Sequence, residues 1–418
     1  TVGEVTDSLK LVNLKNKLGA FAFSAANAST EETVVESDLL ALKFNNKGGY
    51  LSEIKLKKHT DFINRPIYII KDNNASFNIN FGTTDSRILN TKDLYFEPIV
   101  TKNGNNTVVS MKLKVSDSKF LEYRYELKDG DYMMDFTIHS QGLSDVINSS
   151  QPINLDWNIK TYRHAQSISY ENRYTLLNYE YGDEKFNNVS DGENREETLD
   201  NVKFIAYKQH FFASILMTET PFAKAVLKSN KLVVDENKDT IFVKQFNSKM
   251  PLAFSNGEVN YKMNWYFGPS DYKTLKNYDK NIEKIIPLGW GIFGWVNDYI
   301  MKPLFSLFYG WGLSAGICII LLTFAIKMML FPITYKNFMS SAKMRVIKPE
   351  LDKLNEQNKN ADPLKKQQAT MELYKKTGYL YNFSFRIVRA YIDDEVIVSF
   401  YVFNTCHYFL NRSANPPA

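Results

Sequence analysis

Apolar and polar positions follow two different periods along this chain, and the change comes near Tyr272. From about Glu36 to about Asn264 the apolar residues recur every second position in short runs, the period of a half-buried β-strand. The stretch "ALKFNNKGGYLSEIKL" (41–56) predicts two strands around a Gly-Gly turn. "YRYELKDGDYMMDFTI" (123–138) predicts a hairpin turning at Asp129-Gly130. "FNINF" (77–81), "TVVSMKLKV" (107–115) and "KLVVDENKDTIFVKQF" (231–246) continue the alternation. No strand alternates regularly with a helix of 10–15 residues, so a parallel α/β sheet is not expected. The prediction for 33–275 is one large all-β antiparallel sandwich. Ahead of it, residues 1–32 form a lead or linker that is polar except for "LGAFAFSAANAS".

Beyond the strands the period lengthens. Residues 276–311 are aromatic-rich, broken by Pro287 and Pro303, and hold three of the five tryptophans: Trp290, Trp295 and Trp311. Tryptophan and tyrosine concentrate where a membrane meets water, so this stretch predicts a linker and an amphipathic helix lying in that interface. A buried helix of the sandwich is the plainer alternative. Gly312–Phe331 is then apolar with a single charge, Lys327. At 1.5 Å per residue such a run spans roughly 30 Å, the thickness of a bilayer's hydrocarbon core. A transmembrane helix is therefore expected over 312–332, leaving the membrane at Pro332. From Lys336 to Lys376 there are ten Lys/Arg and five Asp/Glu, and such an excess faces the cytoplasm. "NFMSSAKMRVIKPELDKLNEQNKN" has a helical pattern with a kink expected at Pro349. "ADPLKKQQATMELYKK" has Asp362 as N-cap, proline at the first helical position and Gly378 past its end. Together they predict an antiparallel helical hairpin over 335–377, followed by an atypical tail at 378–418. A solvated pair of charged helices is the bland reading of the same pattern.

Composition narrows the classes. The chain has 418 residues, 23% charged and 14% aromatic, with a net charge of +5. That charge is too small, and too scattered, for a nucleic-acid-binding face, and no nucleic-acid module is recognisable. Its two cysteines, Cys318 and Cys406, are not expected to pair, since Cys318 lies inside the apolar run. The five histidines (59, 139, 164, 210 and 407) have no ligand spacing, so no metal site and no cofactor are expected. HExxH, GxSxG and P-loop patterns are absent, so no catalytic residue is assigned and the chain is not expected to be an enzyme. His210 in "KQHFF" is expected to be structural. The chain starts at Thr1 without a charged segment leading an apolar one, so a signal or first anchor is expected to be absent or cut away.

The stretch "GWGLSAGICIILLTFAIKMMLFPITYKNFMSSAKMRVIKPELDKLNEQ" resembles the second transmembrane helix and following cytoplasmic hairpin of the YidC-type membrane protein insertases (the YidC/Oxa/Alb superfamily), in the style of Bacteroidetes. "GWGIFGWVNDYIMKPLFSLFYGW" resembles the interfacial helix that precedes it. "FIAYKQHFFASIL" (204–216), "NKGGYLSEIKLK" (46–57) and "LGAFAFSAA" (18–26) resemble the periplasmic domain and its lead. The resemblance covers roughly 10–378, truncated at both ends. It implies a periplasmic β-supersandwich, then an α-helical membrane segment and a cytoplasmic helical hairpin. Of the family's five shared membrane helices the chain reaches one. After "ELYKKTG" it reads "YLYNFSFRIVRAYIDDEVIVSFYVFNTCHYFLNRSANPPA", where members continue into a long apolar helix.

The implied function is insertion and folding of inner-membrane proteins through a hydrophilic groove, alone or with the Sec translocon. The implied partners are nascent membrane proteins, the Sec translocon, the ribosome and membrane lipids. The implied location is the bacterial inner membrane, with residues 1–310 periplasmic and 336–378 cytoplasmic. In the family one basic residue of this helix faces the groove; the matching position is Lys327, with Thr323 one turn earlier on the same face. Lys343 and Arg345 are the implied contact residues of the hairpin. A charge at the centre of a membrane helix costs about 2.5–3.5 kcal/mol, so it persists where water or a partner reaches it. Snorkelling is the alternative for Lys327: Phe331 is four residues away, roughly 6 Å of helix. For Thr323 the alternative is a hydroxyl satisfied within its own helix. Two other functions fit the same architecture: a membrane-anchored periplasmic β-sandwich that binds a protein or glycan, and a carbohydrate-active enzyme. A tether needs no charge in its membrane helix, and an enzyme needs convergent carboxylates or a His–Glu pair in a cleft.

Overall fold

The computed structural model describes residues 12–26, 29, 31–190, 192, 194–254, 257–286, 296–358 and 362–376. The chain divides into two units, with the boundary along the sequence after Ile286. Trp290, Trp295, Gly378, Cys406 and the tail 378–418, for which the sequence carries expectations, lie outside the described residues.

The first unit is antiparallel at every strand pairing. Four strands form a meander: β1 (Glu32–Glu36), β2 (Leu40–Asn45), β3 (Tyr50–Thr60) and β4 (Pro66–Ile70). The β2–β3 turn needs its two glycines. Gly48 and Gly49 have φ of +93° and +65°, and a Cβ on Gly49 would meet the Phe96 ring at 2.8 Å. The other strands form a 13-stranded sheet. One arm runs β6 (Ile88–Asn90), β5 (Ala75–Gly82), β11 (Ile153–Tyr162), β16 (Phe242–Leu252). The other runs β17 (Asn260–Pro269), β10 (Met133–Gln141), β9 (Phe120–Leu127), β8 (Asn106–Lys114), β7 (Glu97–Asn103). The long strand β15 (Phe212–Lys231) joins them: Phe212–Thr218 pairs with β17, and Val226–Lys231 pairs with β16. Pro221, which has no N–H for a ladder, sits between the two pairings. Along its other edge β15 pairs with β14 (Arg195–Lys208), which continues to β12 (Leu176–Tyr181) and β13 (Lys185–Asn188).

Aromatic rings fill the core. Phe77, Phe136 and Trp157 lie 5.1, 5.0 and 5.5 Å from Trp265, ring centre to ring centre, and all four are buried. Buried tyrosines keep their hydroxyls bonded: Tyr123 donates to Thr91 Oγ1 at 3.0 Å and Tyr125 to the Gly49 carbonyl at 3.1 Å. Such bonds let these two tyrosines sit inside strands with their one polar side-chain atom paired.

Both ends of the predicted sandwich extend. The lead read as a linker packs into the core through Leu18, Phe21 and Ala22, with Phe21 edge-on to Phe81 at 5.5 Å. Ser24 Oγ accepts from Lys114 N at 2.7 Å, which ties the lead to the end of β8. After β17, the short helix Tyr272–Lys276 is capped by Asp271, whose carboxylate accepts from Thr274 N at 2.8 Å. Leu275, Ile282 and Ile285 are buried against Met133, Ile215 and Tyr266, so residues 276–286 belong with the strands.

The second unit is helical. A π-turn (Asn297–Met301) leads into α1 (Lys302–Gly310), followed by α2 (Ala315–Gln357) and α3 (Pro363–Lys376). α2 runs without a break through Pro332, where the chain was expected to leave the membrane, and through Pro349, where a kink was expected. Each proline removes one N–H bond to the carbonyl four residues back, a local loss that the flanking turns of a long helix absorb. Among the described residues no helix is long and apolar enough to cross a membrane.

Candidate functional site

The residues singled out by sequence all lie on α2. Gly312 turns the chain between α1 and α2 with φ +76°, its N–H donating to the Tyr309 carbonyl at 3.0 Å. A side chain would be strained there. Ser314 precedes α2 in an extended conformation and makes no side-chain cap bond. Cys318, Leu322 and Ile326, each one turn apart, are buried against Met301 and Phe305 of the preceding segment. Cys318 is a free thiol.

Thr323 and Lys327 are also one turn apart, on a face rotated roughly 100° from that seam. The structure thus puts the two expected groove residues side by side. The Thr323 hydroxyl donates to the Ile319 carbonyl at 2.8 Å, so its proton is already satisfied within the helix. Lys327 is exposed and has no ion pair or hydrogen bond among the described residues. Lys343 and Arg345 are exposed too. They are two residues apart, roughly 200° round the helix, and Lys343 lies roughly 24 Å of helix from Lys327. The fold does not gather these four residues into one site.

The sequence reading missed what accompanies Lys327. Ile317, Ile320, Phe324, Met328, Phe331, Tyr335 and Phe338 are large and exposed, Phe324 at 65% and Phe338 at 71%. Their spacings of three and four place them on one stripe of α2, and the stripe continues past Pro332. The signal was present as the i, i+3, i+4 series in "FPITYKNF", but the basic residues around it hid it. Among the described residues no group of three His, Cys, Asp or Glu side chains is placed to hold a metal ion.

The sequence matches two family descriptions: "YidC periplasmic domain" over residues 32–307 and "60Kd inner membrane protein" over residues 307–384. It is 32% identical over 384 residues to the membrane protein insertase YidC of Parabacteroides distasonis, which covers 89% of this chain and 59% of that protein. It is 33% identical over 366 residues to the membrane protein insertase YidC of Bacteroides fragilis, covering 85% of this chain and 58% of that one. The chain therefore spans about three fifths of the length of these curated relatives. A solved structure of an active YidC insertase aligns over 93% of this chain and 75% of its own, at 15% identity and a TM-score of 0.33, too low to bear on the fold.

Proposed function

The chain belongs to the YidC family of membrane protein insertases, and from that premise we propose that it acts in placing nascent proteins into the bacterial inner membrane. In this reading Gly312–Phe331 spans the bilayer, the β-domain is periplasmic, and the segment from Lys336 to Lys376 forms a cytoplasmic hairpin. Lys327 and Thr323 line a hydrophilic groove, and Lys343 and Arg345 meet partners on the cytoplasmic side. The Sec translocon and the ribosome are the assisting partners. Insertion makes and breaks no covalent bond, so the chain is read as a non-enzyme.

The observation that supports this most is the exposed apolar stripe of α2 beside an exposed, unpaired Lys327. Large apolar side chains in a continuous row favour lipid or another apolar helix over water. A lysine at the edge of such a row calls for water or an anionic group close by. A groove open to lipid on one side and wet on the other satisfies both. A client's acidic segment would be drawn to the Lys327 ammonium while its apolar part passes along the stripe.

The test extends the chain after Lys376 with the remainder of the Bacteroides fragilis relative and expresses it in cells depleted of their own insertase. Protease protection of an acidic translocated tail on a single-spanning client is read. Lys327→Arg is expected to retain protection and Lys327→Leu to lower it several-fold. Equal protection by the parent and the leucine variant would refute the groove role, and leave snorkelling as the explanation of Lys327.

A further inference from the structure

A cleft of about 630 Å³ opens in the β-domain where the β3–β4 turn, the end of β11 and residues 240–241 come together. Its polar groups are unequally engaged. Asp61 accepts from Ile63 N, Arg65 N and Arg65 Nε at 3.0, 2.8 and 2.8 Å. Burial alone would raise its pKa, but these bonds hold it below the ordinary carboxylate value. Asp61 is thus committed to shaping the turn and to neutralising Arg65.

Lys71 and Arg163 make no ion pair among the described residues, although Arg163 lies close enough to Glu171, behind the lining, to lower that carboxyl's pKa. Lys71 Nζ lies 4.3 Å from the centre of the Tyr68 ring, and Arg163 Cζ lies 5.1 Å from that of Phe62. Arg163 Nε donates to the Ala165 carbonyl at 3.0 Å, and Nη2 donates to that of Gln166. Neither arrangement cancels the positive charge. Asp72 is the remaining acid on the lining, so the uncommitted charge is two cations against one carboxylate.

The second observation is His164. It lines the cleft, is 7% exposed, and its Nε2 is buried without a hydrogen-bond partner among the described residues. Its neighbours hold it in place. His164 N and Ala165 N donate to Glu171 Oε2 at 2.7 and 2.6 Å, and the imidazole stands edge-on to Phe212 at 5.4 Å. Burial pushes its pKa down to about 4, so the imidazole is neutral near pH 7. A fixed, neutral nitrogen without a partner, on a lining whose Lys71 and Arg163 make no ion pair among the described residues, is an arrangement for a ligand that brings both a neutral polar group and an anion.

We propose that this cleft binds a short acidic peptide segment: its carboxylates meet Lys71 and Arg163, a backbone amide meets His164 Nε2, and an aromatic or aliphatic side chain lies on Phe62 and Tyr68. The volume suits a few residues of extended chain. A peptide supplies amide and carboxylate together, as the lining asks, and a free phosphate or a lipid headgroup supplies no amide. This inference does not rest on the insertase reading, because binding is measured without any insertion.

The experiment uses the full chain in detergent micelles and fluorescein-labelled Phe-Glu-Glu-Tyr, with Phe-Gln-Gln-Tyr as the uncharged counterpart. Fluorescence anisotropy is expected to show saturable binding of the acidic peptide below about a millimolar, and binding roughly tenfold weaker for the glutamine peptide. Lys71→Glu, on the rim of the cleft, is expected to weaken the acidic peptide roughly tenfold. His164→Phe keeps the packing on Phe212 and is expected to weaken both peptides several-fold. Each variant's thermal melt is compared with the parent's, and Lys71→Glu alone carries the test if His164→Phe does not fold. Equal binding of the two peptides, no saturable binding, or unchanged binding by folded Lys71→Glu would overturn the proposal. So would saturable binding of an oligogalacturonate in place of the peptide.

Discussion

Trp265 and Phe324 are both large aromatic residues, and they meet opposite surroundings. Trp265 is wholly buried at the centre of the β-domain, among Phe77, Phe136 and Trp157. Phe324 stands 65% exposed on α2, one of a row of exposed apolar side chains. The β-domain covers its own apolar surface, through strands, the docked lead and the closing turns up to Ile286. Among the described residues the helical unit buries a narrow seam, Cys318–Leu322–Ile326, and Ile347, while a row of large apolar side chains on α2 stays exposed. The first region carries the source of its stability in its own sequence, whereas the second leaves a row of large apolar side chains exposed among the described residues.

Deleting the two rings gives the widest separation. Trp265→Ala is expected to cost the β-domain about 3–5 kcal/mol, because it removes a fully buried aromatic side chain and leaves a cavity. Phe324→Ala is expected to change the same transition by less than about 0.5 kcal/mol. Urea unfolding in detergent, followed by the β-sheet circular dichroism signal, distinguishes them. A comparable loss from both would mean the two regions are not independently stabilised.

The next effect is a pH dependence confined to the β-domain. Glu171 is buried, and burial raises its pKa to about 7 against the hydrogen bonds from Ala165 N and His164 N, which lower it. The folded state therefore holds a proton that the unfolded chain releases near pH 4.5. The Glu171 contribution to stability is full below that value and is lost as pH rises through about 7, by about 3 kcal/mol at most. His164 acts oppositely. Its lowered pKa makes the folded state resist protonation, so its contribution is lost as pH falls from 6.5 to about 4. Glu171→Gln is expected to gain on the parent as pH rises from 5 to 8. A stability difference that stays flat across that range would show that Glu171 does not titrate in the fold.

Much of this contrast was legible in the sequence, though unevenly. The hairpin of β9 and β10 was plain, because buried and half-buried residues alternate along both strands and Gly130 adopts φ +70° between them. The strand limits within the alternating stretch 231–246 were not. Lys231 ends β15, Phe242 begins β16, and between them Asp239 accepts from Val234 N and Asp235 N, folding the "VVDEN" stretch into a loop. The docking of the lead was hidden because its burial depends on Phe81 and Lys114, far along the chain. Lys327 and Thr323 were legible as neighbours, since i and i+4 positions share a helix face whatever surrounds them. The peptide cleft was not legible, because its lining is assembled from residues 61–72, 162–164 and 240–241, and no local pattern joins these.

The smallest expected effect separates Thr323 from Lys327. The Thr323 hydroxyl is already satisfied by Ile319, so Thr323→Val is expected to leave client insertion by the extended chain within about twofold of the parent. A loss as large as that of Lys327→Leu would make Thr323 a groove residue in its own right.

The most direct measurement asks what medium Phe324 meets. A Phe324→Cys variant, with Cys318→Ala and Cys406→Ser to remove the native thiols, is labelled with an environment-sensitive nitrobenzoxadiazole dye and reconstituted into liposomes. Lipids carrying a nitroxide near the bilayer centre are then added as quencher. The expected result is a blue-shifted emission that the deep nitroxide quenches strongly, while the same dye on a Val100→Cys variant in β7 emits as in water and is not quenched. Water-like emission at position 324 that the lipid nitroxide leaves unchanged would contradict the account, since the exposed stripe of α2 would then not face the membrane.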